Sequence, residues 1–381
     1  MQNSELPTTF CPAKWDEVVT NLHYNYVYAC CKAKPMQFVK DFKIALREQQ
    51  NNLLNGIQDP SCEYCWQIEN AGGQSLRLRY LNDFDNTKFS NYQEFNSIKK
   101  LEINIGNSCN MQCMYCNPKF SSQWEADLKY KKYPLLTDRF VYELVEKETN
   151  ITESNLALIL EQQVEHLSII GGEPLYNKVF FQIVDSKKFK HLELTTNLMV
   201  KNQTLKKLLD LQNHVEKLTI NCSIDATKEL AEFVRHGLDY FTFINNLEFL
   251  LANVDQSKTS IRISSLATSM TIVGIPDLYE VITALKNNYK INLTWIISYC
   301  MNPKVHSFQS LPIDKRLTLI NSLSTIDCDD SIIGLSSVID ALKSIEYSKQ
   351  IHKELTYFLR EWCARKNIQI PNLIKETLCL E

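Results

Sequence analysis

The chain has 381 residues, 44% hydrophobic and 22% charged, which suits a soluble globular fold large enough for one to three domains. Lys plus Arg total 41 against 44 Asp plus Glu, a net charge of -3, so no bulk electrostatic grip on nucleic acid is expected. The N-terminus has no signal-peptide pattern and no run of about 18 apolar residues occurs, so a cytoplasmic location away from membranes is expected. Thirteen cysteines stand out, and without a secretory context they point to metal or cluster ligation rather than disulfides.

Residues 1–95 hold five of them: Cys11, Cys30, Cys31, Cys62 and Cys65. One helix is predicted there, over 37–54, with Phe38, Phe42, Ile44, Ala45 and Leu53 on its apolar side. The rest reads as short and irregular, a region that gains from a metal staple. Cys62-Glu-Tyr-Cys65 is a CxxC, compatible with a cluster or with structural zinc.

From about residue 100 strands and helices alternate. Strands are predicted at 101–106, 165–170, 192–198, 218–225, 260–268 and 291–300. Helices are predicted at 203–213, 228–235, 241–253 and 276–288. Six strand–helix units imply a parallel sheet with crossover helices, and their number suits a partial barrel. Asn221, Ser223 and Asp225 share one face of their strand, opposite Ile220, Cys222 and Ile224. Glu193, Thr195 and Asn197 alternate likewise, as do Glu102 and Asn104. A polar lumen follows, with an exposed sheet face as the alternative. Residues 336–366 read as one long helix carrying Ile339, Leu342, Ile345, Ile351, Leu355, Phe358 and Trp362 on one side.

The first of these strands is followed by Cys109-Asn-Met-Gln-Cys113-Met-Tyr-Cys116. Three thiolates within eight residues can wrap one side of a [4Fe–4S] cube and leave the fourth iron open. A zinc knuckle or three reduced thiols would also fit the spacing. The second strand runs into Gly171-Gly172-Glu173-Pro174, where glycines permit close backbone approach and Glu173 can accept from an ammonium. Alone, that tetrapeptide is an ordinary turn. Cys222, Cys300, Cys328, Cys363 and Cys379 are expected to be buried free thiols. His236 is read as a structural histidine before a lumen acid or base.

CxxxCxxC with Tyr115 before its last cysteine, followed by GGEP after the next strand, resembles the radical SAM superfamily. The resemblance implies an α/β fold built on a partial (β/α)6 TIM-like barrel. It implies a catalytic cluster on Cys109, Cys113 and Cys116, with S-adenosylmethionine on its open iron. The cofactor-binding set carried over is Tyr115, Gly171, Gly172, Glu173, Pro174, Asn197, Ser223, Asp225 and Arg235. Arg235 is expected to grip the SAM carboxylate and Ser223 the ribose. Phe10-Cys11-Pro12-Ala13-Lys14-Trp15, the Cys30-Cys31 pair, the CxxCW at 62–66, Ser75-Leu76-Arg77 and Arg79 resemble the N-terminal part of twitch-domain members. That implies a second, auxiliary [4Fe–4S] cluster on Cys11, Cys62, Cys65 and one of Cys30 or Cys31. The expected layout is a cysteine-rich auxiliary domain at 1–96, the barrel at 97–305 and a helical C-terminal segment at 306–381. The implied activity is reductive cleavage of SAM to a 5′-deoxyadenosyl radical that abstracts a substrate hydrogen. The expected substrate is a ribosomally made peptide or protein, undergoing cross-linking, epimerisation or oxidation. A sugar, nucleoside or amino acid is the alternative, and a non-catalytic iron–sulfur or zinc protein the third. A flavodoxin or ferredoxin is the expected electron donor.

Overall fold

The structure is a computed structural model, and it describes residues 6–22, 26–37, 42–70, 73–82, 84, 99–130 and 164–380. The strands among them are β1 (Glu17–Asn21), β2 (Tyr26–Tyr28), β3 (Met36–Gln37), β4 (Lys100–Asn104), β5 (Gln112–Cys113) and β6 (His166–Ile170). They continue as β7 (His191–Thr196), β8 (Lys217–Ser223), β9 (Arg235–His236), β10 (Thr259–Ala267), β11 (Leu293–Tyr299) and β12 (Ile332–Ile333). Every strand expected between 101 and 300 is present, displaced by at most two residues at its ends.

The chain forms two compact units, one of Met1–Gly106, Val145–Gly171 and Lys178–Glu193, the other of Asn107–Leu144, Gly172–Asn177 and Leu194–Glu381. In the first, β4 pairs in parallel with β1 and β6, and β2 and β3 extend β1 antiparallel. In the second, β8, β10, β11 and β12 run parallel in that order, and β5 pairs antiparallel with β9. Mostly parallel strands with helices in the connections make this an α/β fold. Among the described residues no helix is long and apolar enough to cross a membrane.

The pleat decides what the second unit presents. In β10, Ile261, Ile263, Ser265 and Ala267 are buried while Ser260, Arg262, Ser264 and Leu266 are half-buried. In-register pairing sets Asn221 and Ser223 beside Arg262 and Ser264, and those beside Thr294 and Ile296. One face is thus largely polar. The other carries Ile220, Ile263 and Trp295, each fully buried. A fully buried aliphatic side chain stabilises by about 1.5–3 kcal/mol relative to exposure. The Trp295 indole meets its polar need by donating to Ser265 Oγ at 2.9 Å.

Four expectations need correction. The N-terminal region is not merely irregular: β1 to β3 lie within 17–37. Its helix spans Phe42–Leu54, Gln37 is in a strand, and residues 38–41 lie outside the described residues. Leu46, Gln50 and Leu53 form the buried side of that helix, whereas Ile44 is exposed. The C-terminal helix is two helices, Leu335–Ser344 and Lys349–Lys366. Its break follows from tertiary contacts: the buried Arg316 guanidinium donates to the carbonyls of Leu342 and Ile345, and Ser348 caps the second helix through Ile351 N–H. Cys222 and Cys300 are buried and Cys363 half-buried, but Cys328 and Cys379 are exposed. Cys328 lies between Asp327 and Asp329, and Cys379 is the left-handed residue that ends the last helix.

Candidate functional site

The cysteine loop lies in the second unit, and its alternation explains its shape. Met111 and Met114 are buried at 1% and 0% exposure, while Cys109, Cys113 and Cys116 are half-buried. The methionines anchor the loop and free the thiols to converge. Its backbone groups are satisfied one by one. Ser122 Oγ accepts from Cys109 N–H at 3.1 Å, Ser121 Oγ donates to Met111 C=O at 2.7 Å, and the Trp124 indole donates to Cys113 C=O at 2.8 Å. Met114 N–H donates to Val234 C=O at 2.9 Å, and buried His306 donates from Nε2 to Met114 C=O at 3.1 Å. β9 aligns Arg235 with Cys113 and His236 with Gln112. The His236 ring packs edge-on against Trp362.

Burial pushes the Cys109 thiol up to about 12, and its neighbour Cys113 adds to the shift. Burial raises Cys113 and Cys116 as well. Three such thiols ionise together only when they share a metal's positive charge. Among the described residues no three cysteine sulfurs lie within 4.8 Å of one another.

Behind the loop sits a buried ion pair. Arg235 donates from Nε and Nη2 to the two Asp225 oxygens at 2.8 and 2.9 Å. The Tyr115 hydroxyl donates to the same carboxylate, and Leu266 N–H adds a bond at 2.8 Å. The guanidinium also lies 5.6 Å from the Tyr115 ring centre. The Arg235 fork therefore grips Asp225 and ties Tyr115 beside Cys116. Arg235→Ala would leave a buried carboxylate uncompensated, and urea unfolding should show a loss of about 3–5 kcal/mol. Arg235→Lys should recover only part of it, because a point charge does not reproduce the bidentate fork.

Glu173 is 1% exposed and accepts from Thr196 Oγ at 2.7 Å, Asn197 N–H at 2.6 Å and Leu175 N–H at 3.1 Å. Its own N–H donates to Ser108 C=O at 2.8 Å, and the Asn197 amide donates to Asn110 Oδ1 at 2.8 Å. The acidic residue is thereby fixed to the base of the cysteine loop. Gly172 makes this approach possible: a Cβ there would sit 2.4 Å from Ser108 O. Gly172→Ala should destabilise by about 1–3 kcal/mol in a denaturant titration, since the clash is with backbone. Pro174 opens a short 3-10 turn, and Gly171, in the first unit, packs against Gly106 O. Ser223 is half-buried and ends β8.

Burial raises the Glu173 carboxyl from an ordinary 4.5 to about 7. The folded state holds that proton better than the unfolded chain. Stability from this group is therefore fullest below pH 4.5 and declines as the pH rises toward 7. Glu173→Gln should flatten that decline between pH 4.5 and 7, measured by unfolding at several pH values.

In the first unit Cys11, Cys30, Cys62 and Cys65 line one cavity with Lys14 and Arg77, and exposed Cys31 does not line it. Asp59 caps the turn Pro60–Cys62 and the helix Glu63–Asn70 follows, which stacks Cys62 and Cys65 one turn apart. Arg77 holds the cavity's wall, donating to the Glu69 carboxylate and to the carbonyls of Thr8 and Phe10. Burial and the neighbouring thiols push Cys11 up to about 12.

Lys14, Ser121, Ser122, Trp124, Asn110 and His306 were not singled out for the site by sequence reasoning. Ser121 and Ser122 carry the one usable signal, two hydroxyls at a helix start immediately after the cysteines.

The radical SAM superfamily model matches residues 103–280. The chain is 26% identical over 191 residues to a probable GTP 3′,8-cyclase of Methanocaldococcus jannaschii, covering 48% of this chain and 54% of that protein. It is 30% identical over 140 residues to a GTP 3′,8-cyclase of Campylobacter lari, covering 36% and 37%. The chain thus spans about half the length, or less, of these curated relatives. Streptococcus suis SuiB bound to its precursor peptide SuiA aligns with a TM-score of 0.37 at 14% identity, over 89% of this chain and 76% of that one. Residues 103–280, with CxxxCxxC and GGEP in the expected order, are thus similar to the radical SAM superfamily, a family that works with a [4Fe–4S] cluster and S-adenosylmethionine.

Proposed function

We propose that the chain is a radical SAM enzyme whose catalytic cluster is held by Cys109, Cys113 and Cys116. The observation that carries this reading is the tie between the cysteine loop and the GGE turn: Asn197 donates through its backbone to Glu173 and through its side chain to Asn110. When bound, the cluster and SAM together supply a 5′-deoxyadenosyl radical that takes a hydrogen from the substrate. The protein's part is to hold the groups still. Glu173, with Gly172 and Pro174 beside it, offers a dry carboxylate for the SAM ammonium. Ser223 and Asn197 offer neutral hydrogen bonds nearby. Tyr115, Asp225 and Arg235 brace the cysteine loop, a role for Arg235 that replaces the direct grip on the SAM carboxylate.

The auxiliary site in the N-terminal region, 1–96, is proposed to hold a second [4Fe–4S] cluster on Cys11, Cys30, Cys62 and Cys65. Cys30, not Cys31, lines the cavity with the other three, which supports the choice. With every iron ligated, that cluster would pass electrons that a flavodoxin or ferredoxin provides.

For the substrate we put a polar small molecule first. The strand face with Asn221, Arg262, Ser264 and Thr294 is largely polar, and the matched relatives are named for a nucleotide reaction. A ribosomally made peptide is the second reading, and the same polar face would serve its backbone. Anaerobically reconstituted protein with SAM and reductant distinguishes them. Faster 5′-deoxyadenosine formation with nucleoside triphosphates or sugars, but not with a peptide library, supports the first. The reverse supports the second.

A further inference from the structure

We propose a divalent transition-metal site in the first unit, formed by His166, His191 and Glu193 and suited to zinc. One ligand atom from each lies within 4.8 Å of the others. His166 opens β6, and His191 opens β7 with Glu193 two residues on, hence on the same side of that strand. The three side chains are half-buried. His166 Nε2 is itself buried and lies 3.3 Å from Glu193 Oε2, yet makes no hydrogen bond to it in acceptable geometry. A buried polar atom facing a carboxylate without a directed bond calls for a partner, and a cation placed between them supplies one. The two imidazoles stack at 3.9 Å with a 19° tilt. Stacked rings aim their lone pairs alike, so binding turns one ring about χ2, and half-exposure leaves room for that.

Two imidazoles and one carboxylate are a zinc donor set, with water as the fourth ligand. Both histidines open their strands, so the ion would clip β6 to β7 at their N-terminal ends, where a structural role is expected. No cysteine is among the three ligands, and the site does not depend on the proposed radical chemistry.

The test uses anaerobically reconstituted holoenzyme, with its cysteines engaged, dialysed against limiting zinc chloride. Wild type should keep one zinc per chain more than His191→Ala and Glu193→Gln, with iron content equal in all three. The equal iron content shows that the variants fold. The X-ray absorption edge of that zinc should show nitrogen and oxygen neighbours near 2.0–2.1 Å and no sulfur near 2.3 Å. Equal zinc in wild type and both variants overturns the proposal. So does a zinc bound by sulfur.

Discussion

Replacing Cys109, Cys113 and Cys116 together by alanine is expected to bring SAM cleavage down to background and to lower the iron content by about four per chain. In the proposed site each thiolate would hold one iron of the cube, and losing all three would leave those irons without a protein ligand. The loop itself should survive the change, because Met111, Met114, Ser121, Ser122 and Trp124 hold its backbone. Circular dichroism should therefore match wild type while 5′-deoxyadenosine disappears. A triple variant that still forms 5′-deoxyadenosine at the wild-type rate would remove these cysteines from the chemistry.

Wild type should carry about eight irons per chain, and losing Cys11, Cys62 and Cys65 to alanine should leave about four. Lys14 gives this prediction its physical basis. It is 0% exposed, and its ammonium donates to Gln49 Oε1 at 2.6 Å and Ser61 Oγ at 2.8 Å, with the Cys62 thiol also in reach. Among the described residues no ion pair joins it. A buried ammonium is costly unless negative charge faces it, and metal-bound thiolates in the proposed cluster would supply that charge. Lys14→Met should keep the second cluster but shift its reduction potential downward. One charge-assisted hydrogen bond of about 1.4 kcal/mol corresponds to roughly 60 mV for a one-electron couple. Redox titration followed by electron paramagnetic resonance reads it. Four irons with one zinc would make the region a structural zinc module instead.

The strands from 100 to 300 were legible because alternating polar and apolar residues carry the period of a pleat, as β10 shows residue by residue. β1 was not, because Glu17, Val18, Val19 and Thr20 are all buried and so give no alternation. β2 and β3 are too short to show a period, and only their pairing defines them. The break near Ile345 depends on Arg316, about thirty residues earlier, and leaves no trace in the helical pattern. At the site, CxxxCxxC and GGEP were legible through their order along the chain and the family resemblance that this order carries. The Arg235 fork on Asp225 was not: both residues were picked out, but their mutual bond exists only because the chain turns back between β8 and β9. Lys14 lay in a quoted motif, yet its chemistry comes from burial that no local pattern encodes.

If the Cys109–Cys116 loop holds the proposed catalytic cluster, the protein cleaves SAM by one-electron reduction. The most direct measurement is single-turnover chromatography of anaerobically reconstituted wild type with SAM, with and without dithionite. 5′-Deoxyadenosine and methionine should form in equal amounts, and only with reductant. Intact SAM after full reduction of the cluster would contradict it.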